Sequence, residues 1–223
     1  MDMRKFFIYA FSLIIALFAC DMSLFAQRLT EAQKRTLERR VEDKVNEFQF
    51  YMAQLGDKES TSVTVKNNAY GLALKLFIGE GEDYSIVRQN SRGEEYEEFK
   101  PAVRMETSSK YRSTKSRTKI KTYLNNLRNN DTYTQIEITA ADAVRVDNIY
   151  REGDHYVCMA YFCQKYIGYR DNRPVYSDIT TKKVKVYIQS IVVPKPDGTD
   201  QTIWNALLGD IYVLDTRPVS AYD

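Results

Sequence analysis

Two long strand-forming runs, His155–Ile167 and Pro174–Gln189, constrain this chain most, because only a short link around Tyr169–Arg173 separates them. Both are rich in Val, Ile, Tyr, Phe and Thr, and so short a link joins them as one antiparallel hairpin. Tyr133–Ala140, Ala143–Tyr150 and Ile203–Leu214 have the same strand character, and Glu152-Gly153-Asp154 and Pro196-Asp197-Gly198 punctuate the connections. The second long run changes parity. Val175, Ser177 and Ile179 are odd-numbered, whereas Val184, Val186 and Ile188 are even-numbered. Successive strand residues face opposite sides, so a bulge near Thr180–Lys183 is expected to reconcile the halves and bend the strand sharply.

Helical periodicity comes first in the chain. Thr30 and Gln33 form a capping-box signal, and Leu37, Val41, Val45, Phe48, Met52 and Leu55 then recur at spacings of three and four until Gly56. A second helix is predicted from about Thr64 to Phe77, with Gly79 ending the pattern. The acidic stretch Glu80–Glu98 reads as loop with a short strand near Tyr84–Arg88, and Val103–Ser108 as another strand. A third helix is signalled by Ile120, Tyr123, Leu124 and Leu127, starting near Ser116 and stopping at Asn129-Asn130-Asp131. Helices followed by strands give an α+β class: N-terminal helices packed on a strongly bent antiparallel sheet. No internal repeat or composition break divides residues 27–223, which read as a single domain.

Residues 1–26 read as a signal peptide: Arg4 and Lys5, an apolar run from Phe6 to Ala19, and small residues at Ser23 and Ala26. Cleavage near Ala26/Gln27 implies a periplasmic or secreted protein. Leu17-Phe18-Ala19-Cys20 resembles a lipobox, and the alternative is a lipoprotein anchored through Cys20. No later apolar run approaches the ~20 residues a membrane-spanning helix needs. Cys158 and Cys163 are five apart in one strand, so they point to opposite faces and cannot close a disulfide.

The element order, Ile120–Leu127 just before the sheet, the Tyr156–Ile188 hairpin and a closing strand from Trp204 through Leu207-Leu208-Gly209-Asp210-Ile211-Tyr212-Val213 resemble the nuclear transport factor two-like superfamily, relatives of ketosteroid isomerase and scytalone dehydratase. The resemblance covers about Leu29 to Leu214 and rests on topology rather than a residue signature. It implies a cone-like sheet with a helix across its concave side and an enclosed pocket. Members include enzymes, carriers and dimerisation modules, so the fold leaves function open. The acidic insert at Glu80–Glu98 is longer than such a fold needs.

His155 is the only histidine, and its neighbour Asp154 in a strand would face the other way, which argues against a catalytic pair. Asp210 lies in an otherwise apolar run and is costly to bury alone; it is a pocket carboxylate, or it pairs with a lysine or arginine across the sheet, or it sits on the solvent face beside Tyr212. Lys110, Arg112, Lys115, Arg117, Lys119 and Lys121 form a basic cluster. With export and a net charge of only +2, it argues for no nucleic-acid partner. Glu94, Glu95, Glu97 and Glu98, with Glu80, Glu82 and Asp83, lack calcium-loop spacing and read as an acidic surface that could face the basic cluster. No catalytic set, metal site or cofactor is called for. The leading reading is a non-catalytic envelope module that holds a small ligand, a glycan or a partner protein. Its candidate binding residues are Asp210, Tyr156, Tyr161, Tyr166, Tyr176 and Trp204, with seventeen tyrosines and one tryptophan as the compositional motive. An isomerase- or dehydratase-like enzyme using Asp210 is the first alternative, and a structural homodimer is the second.

Overall fold

The reciprocal cap expected at Thr30 is present: its N–H donates to Gln33 Oε1 at 2.9 Å, and the Gln33 N–H donates to Thr30 Oγ1 at 3.2 Å. Two donors that a helix start leaves unpaired are thereby satisfied. A computed structural model describes residues 29–59, 61–90, 92–153, 155–195 and 198–220, so the expected leader, Cys20, the Ala26/Gln27 cleavage site and Asp154 lie outside the described residues. The chain divides into two units, one ending at Thr36 and the other beginning at Leu37. Among described residues, the first unit carries the cap and the opening of helix α1 (Glu31–Gly56). The rest of α1 and every strand belong to the second.

The stripe Leu37, Val41, Val45, Phe48, Met52 and Leu55 is buried throughout. Phe48 meets Phe77 edge-on at 5.2 Å and Phe162 at 6.5 Å between ring centroids. Helix α2 (Val63–Leu74) starts at Ser62, whose Oγ accepts the Val65 N–H. It stops before the predicted Phe77 because Leu76 and Phe77 turn to the sheet. The Leu208 N–H donates to Leu76 O at 2.8 Å, and Phe77 bridges Leu208. Pairing with a strand overrides the helical spacing of those two residues.

The acidic segment carries the expected short strand as β1 (Tyr84–Gln89), and part of the expected loop is instead its partner β2 (Glu95–Lys100) in a separate two-stranded hairpin. It is followed by β3 (Arg104–Ser109), β4 (Arg112–Lys119) and helix α3 (Ile120–Arg128). Helix α3 therefore begins four residues later than predicted. Ser116–Lys119 lack apolar periodicity and pair with β3 instead. The remaining strands are β5 (Gln135–Ala140), β6 (Arg145–Val146), β7 (Tyr150–Glu152), β8 (His155–Arg170), β9 (Arg173–Pro194) and β10 (Asp200–Pro218).

The large sheet runs β4-β3-β10-β9-β8-β5, with β6 and β7 also on β8. Strands β5, β6 and β7 pair successive stretches of β8, so the two strands predicted over 133–150 form one interrupted edge. The sheet is mixed rather than wholly antiparallel, because β10 pairs β3 in parallel. The long chain between these two strands, which includes α3, permits a parallel neighbour where a tight turn would not.

The expected bulge is absent from β9. Its register with β8 is continuous from Tyr156↔Ile188 to Gly168↔Tyr176. The extra residues sit on the other partner, β10, between Leu208 and Ile211 and between Val213 and Asp215. Even-numbered residues from Tyr176 to Ile188 therefore share one buried face.

Phe48 anchors α1 to that face, and its neighbour Phe50 is 57% exposed. Phe48→Ala is expected to cost about 3–5 kcal/mol in urea unfolding, and Phe50→Ala less than about 0.5 kcal/mol. Equal losses would show that α1 does not pack through this stripe.

Candidate functional site

Unbroken alternation along β9 carries Asp178, Thr180 and Lys182 onto the same covered face as Val184, Val186 and Ile188. They are 3%, 7% and 7% exposed, and Gln164, opposite Thr180 on β8, is 2% exposed. These four side chains line a half-open pocket of about 240 Å³, together with Met52 of α1, Tyr123 of α3, Tyr133 and residues of β3. A ladder of polar groups inside a core is costly unless each finds a partner. Lys182 Nζ donates to Gln164 Oε1 at 2.7 Å, and Gln164 Nε2 is 3.6 Å from Met52 Sδ. Because Gln164 faces Thr180, the Lys182 chain leans one step along the sheet toward Asp178.

At the other end Asp178 accepts a hydrogen bond from the Tyr176 hydroxyl, which lies 3.1 Å from Ser109 Oγ and accepts the Lys110 N–H at 3.3 Å. Among the described residues Asp178 and Lys182 form no ion pair with each other. Burial pushes the Lys182 ammonium down to about 8, only partly offset by the Asp178 carboxylate. Burial also raises the Asp178 carboxyl, against the opposing pull of Tyr176 and Lys182. Burial, with the Asp178 bond second, lifts the Tyr176 phenol to about 12, and burial raises Tyr123 and Tyr166 as well.

Rings form the walls. Tyr133, Tyr166 and Tyr176 lie with centroids 5.7–6.4 Å apart. Gly168 allows Tyr133 to lie on the strand, since a Cβ there would fall 2.6 Å from Tyr133 Cε1. At the mouth stands Arg112, and Lys110 Nζ sits 5.0 Å over the Tyr176 ring.

Of the sequence candidates, Tyr166 and Tyr176 line this pocket and the other four do not. Tyr156 and Trp204 pair edge-on at 5.6 Å at a distant stretch of the sheet, where Arg40 donates to Trp204 O. Tyr161 lies under the Arg145 guanidinium at 4.7 Å. Asp210 sits in the first β10 bulge, accepts the Arg104 N–H at 2.8 Å and is ion-paired with Arg117, with the Tyr212 hydroxyl 3.3 Å away. That is the ion-pair alternative rather than a pocket carboxylate. His155 lies 5.8 Å from the Tyr187 ring. Cys158 and Cys163 are free thiols, and Cys163 Sγ lies 3.1 Å from Thr181 Oγ1.

Sequence reasoning missed Asp178, Thr180, Lys182, Gln164, Tyr123 and Tyr133. For the three β9 residues the signal was the even parity of Tyr176, Asp178, Thr180 and Lys182, continuous with the apolar residues beyond. The invoked bulge kept these polar groups out of the core. The basic cluster turns out to be strand β4 and its flanks, partly neutralised by the acidic one: Lys119 pairs with Asp83 at 3.3 Å and Lys121 with Glu82. Among the described residues no group of three or more His, Cys, Asp and Glu could hold a metal ion, and no helix is long and apolar enough to cross a membrane.

No family model matches this chain, and comparisons with curated proteins and with solved structures give no match. The pocket's own electrostatics supplies a test. Below about pH 8 Lys182 is charged in folded and unfolded chains alike, and its burial costs stability. Between about 8 and the ordinary lysine value of 10.5 the folded chain releases the proton first. The unfolded chain then binds more protons, so this contribution to stability rises with pH. Lys182→Met is therefore expected to be more stable than the parent by up to about 3 kcal/mol at pH 7, and the advantage should vanish as pH approaches 10.5. Urea unfolding of both proteins across this range decides; a pH-independent difference would rule out a desolvated ammonium.

Proposed function

We propose that this chain is an exported, non-catalytic binding module that holds a small hydroxylated ligand of glycan type in the tyrosine-lined pocket. The observation that carries this reading is the wall chemistry. Four tyrosines and four serine or threonine residues line a space of about 240 Å³. Rings give flat apolar surface and hydroxyls give hydrogen bonds in both directions, which suits a sugar ring. In this reading the sheet of the second unit bends into the cone implied by the nuclear transport factor two-like resemblance. The two β10 bulges support that, because bulges raise local twist and bend a strand.

Saturation-transfer NMR of the mature protein against a panel of envelope monosaccharides tests the binding. At least one sugar is expected to receive saturation, with Tyr166→Ala weakening it tenfold or more while the Tm stays measurable. A panel with no binder sinks the reading.

Export supplies the compartment and has its own measurement. Intact-mass analysis of protein from its native host is expected to find a chain beginning at Gln27. A lipidated Cys20 would place the protein on a membrane surface, and a retained Met1 would remove the envelope from the proposal.

A further inference from the structure

We infer that the ligand of this pocket is an acid: a hydroxylated carboxylate of about one sugar ring, its carboxylate taken by Lys182. The inference rests on the binding reading above and adds the charge of the ligand. An ammonium carries three donors. One goes to Gln164 Oε1, and the side chain otherwise faces the pocket it lines. Its only carboxylate neighbour in the pocket, Asp178, is held by Tyr176 rather than by Lys182. A buried cation that makes no ion pair is expensive, and a carboxylate brought against it offsets that cost.

The charges around the pocket favour the same sign of ligand. Lys182 and Arg112 line it, and Lys110 stands over the Tyr176 ring, against Asp178 alone. A pocket lined mainly by cations concentrates anions. A cationic or zwitterionic ligand would have to bring its positive group to Asp178 past Lys110 and Arg112. A neutral sugar would leave Lys182 as it is. An acid meets cations at the mouth and at the base, while Asp178 accepts from its hydroxyls.

The acid could arrive free or as the end residue of an envelope glycan, and calorimetry separates these. Wild-type protein is titrated with glucuronate, its methyl ester, glucose and a uronate-terminated disaccharide. Glucuronate is expected to bind at least tenfold more tightly than glucose or the ester, and Lys182→Met is expected to bring that ratio to about one. The ester has the shape of the acid without its charge, so the comparison holds even if the variant does not fold. Tighter binding of the disaccharide than of glucuronate assigns the ligand to a glycan end; tighter binding of glucuronate assigns it to the free acid. Equal binding of acid, ester and glucose overturns the inference and leaves the glycan-binding reading intact. Binding by none of the four overturns the inference, and the saturation-transfer panel then decides whether the glycan-binding reading falls with it.

Discussion

The second unit depends on one strand keeping its alternation. Strand β9 presents its even-numbered residues to the covered side of the sheet from Tyr176 to Ile188, paired without interruption to β8. Over Val184, Val186 and Ile188 this builds an ordinary apolar core beneath α1. Over Asp178, Thr180 and Lys182 the same geometry forces polar groups inside. A register slip would free them but would turn the three apolar residues to solvent. Burying each aliphatic side chain is worth roughly 1.5–3 kcal/mol, so the strand stays in register and the polar groups are accommodated one by one.

That accommodation shapes the pocket. Gln164 is placed by β8 to meet Lys182, and Tyr176 reaches Asp178 from two residues along its own strand. Each charge has a hydrogen-bond partner, but neither has the other. The tyrosine walls follow from the same face, because Tyr166 is the register partner of Asp178, and Tyr176 that of Gly168, on which Tyr133 rests.

Strand β10 takes up the irregularity that β9 avoids. Its first bulge holds Gly209 and Asp210, and a Cβ on Gly209 would lie 2.7 Å from Tyr187 Cε2 and 3.1 Å from Lys185 O. Glycine is needed there for close approach. The bulge also aims Asp210 at Arg117 and the Arg104 N–H, which makes a carboxylate in an apolar run an exposed ion-pair member. Exposed pairs of this kind contribute little to stability; they set where charge sits on the surface.

By itself the sequence determined the α+β class, the α1 stripe with its reciprocal cap, the long hairpin and the opposite facing of Cys158 and Cys163. These follow from local periodicity, from caps and from the two-residue repeat of a strand, which neighbours in the chain specify. Tertiary structure decided the rest. Leu76 and Phe77 left their helix for a strand partner, and Ser116–Lys119 joined β4 because β3 offered a ladder. The irregularity predicted for β9 went to β10. Parity along one strand records only that apolar residues change sides; it does not say whether the backbone bulges or the core accepts charge. Gln164, Tyr176 and the tyrosine walls settle that choice, and they come together only when the sheet is paired.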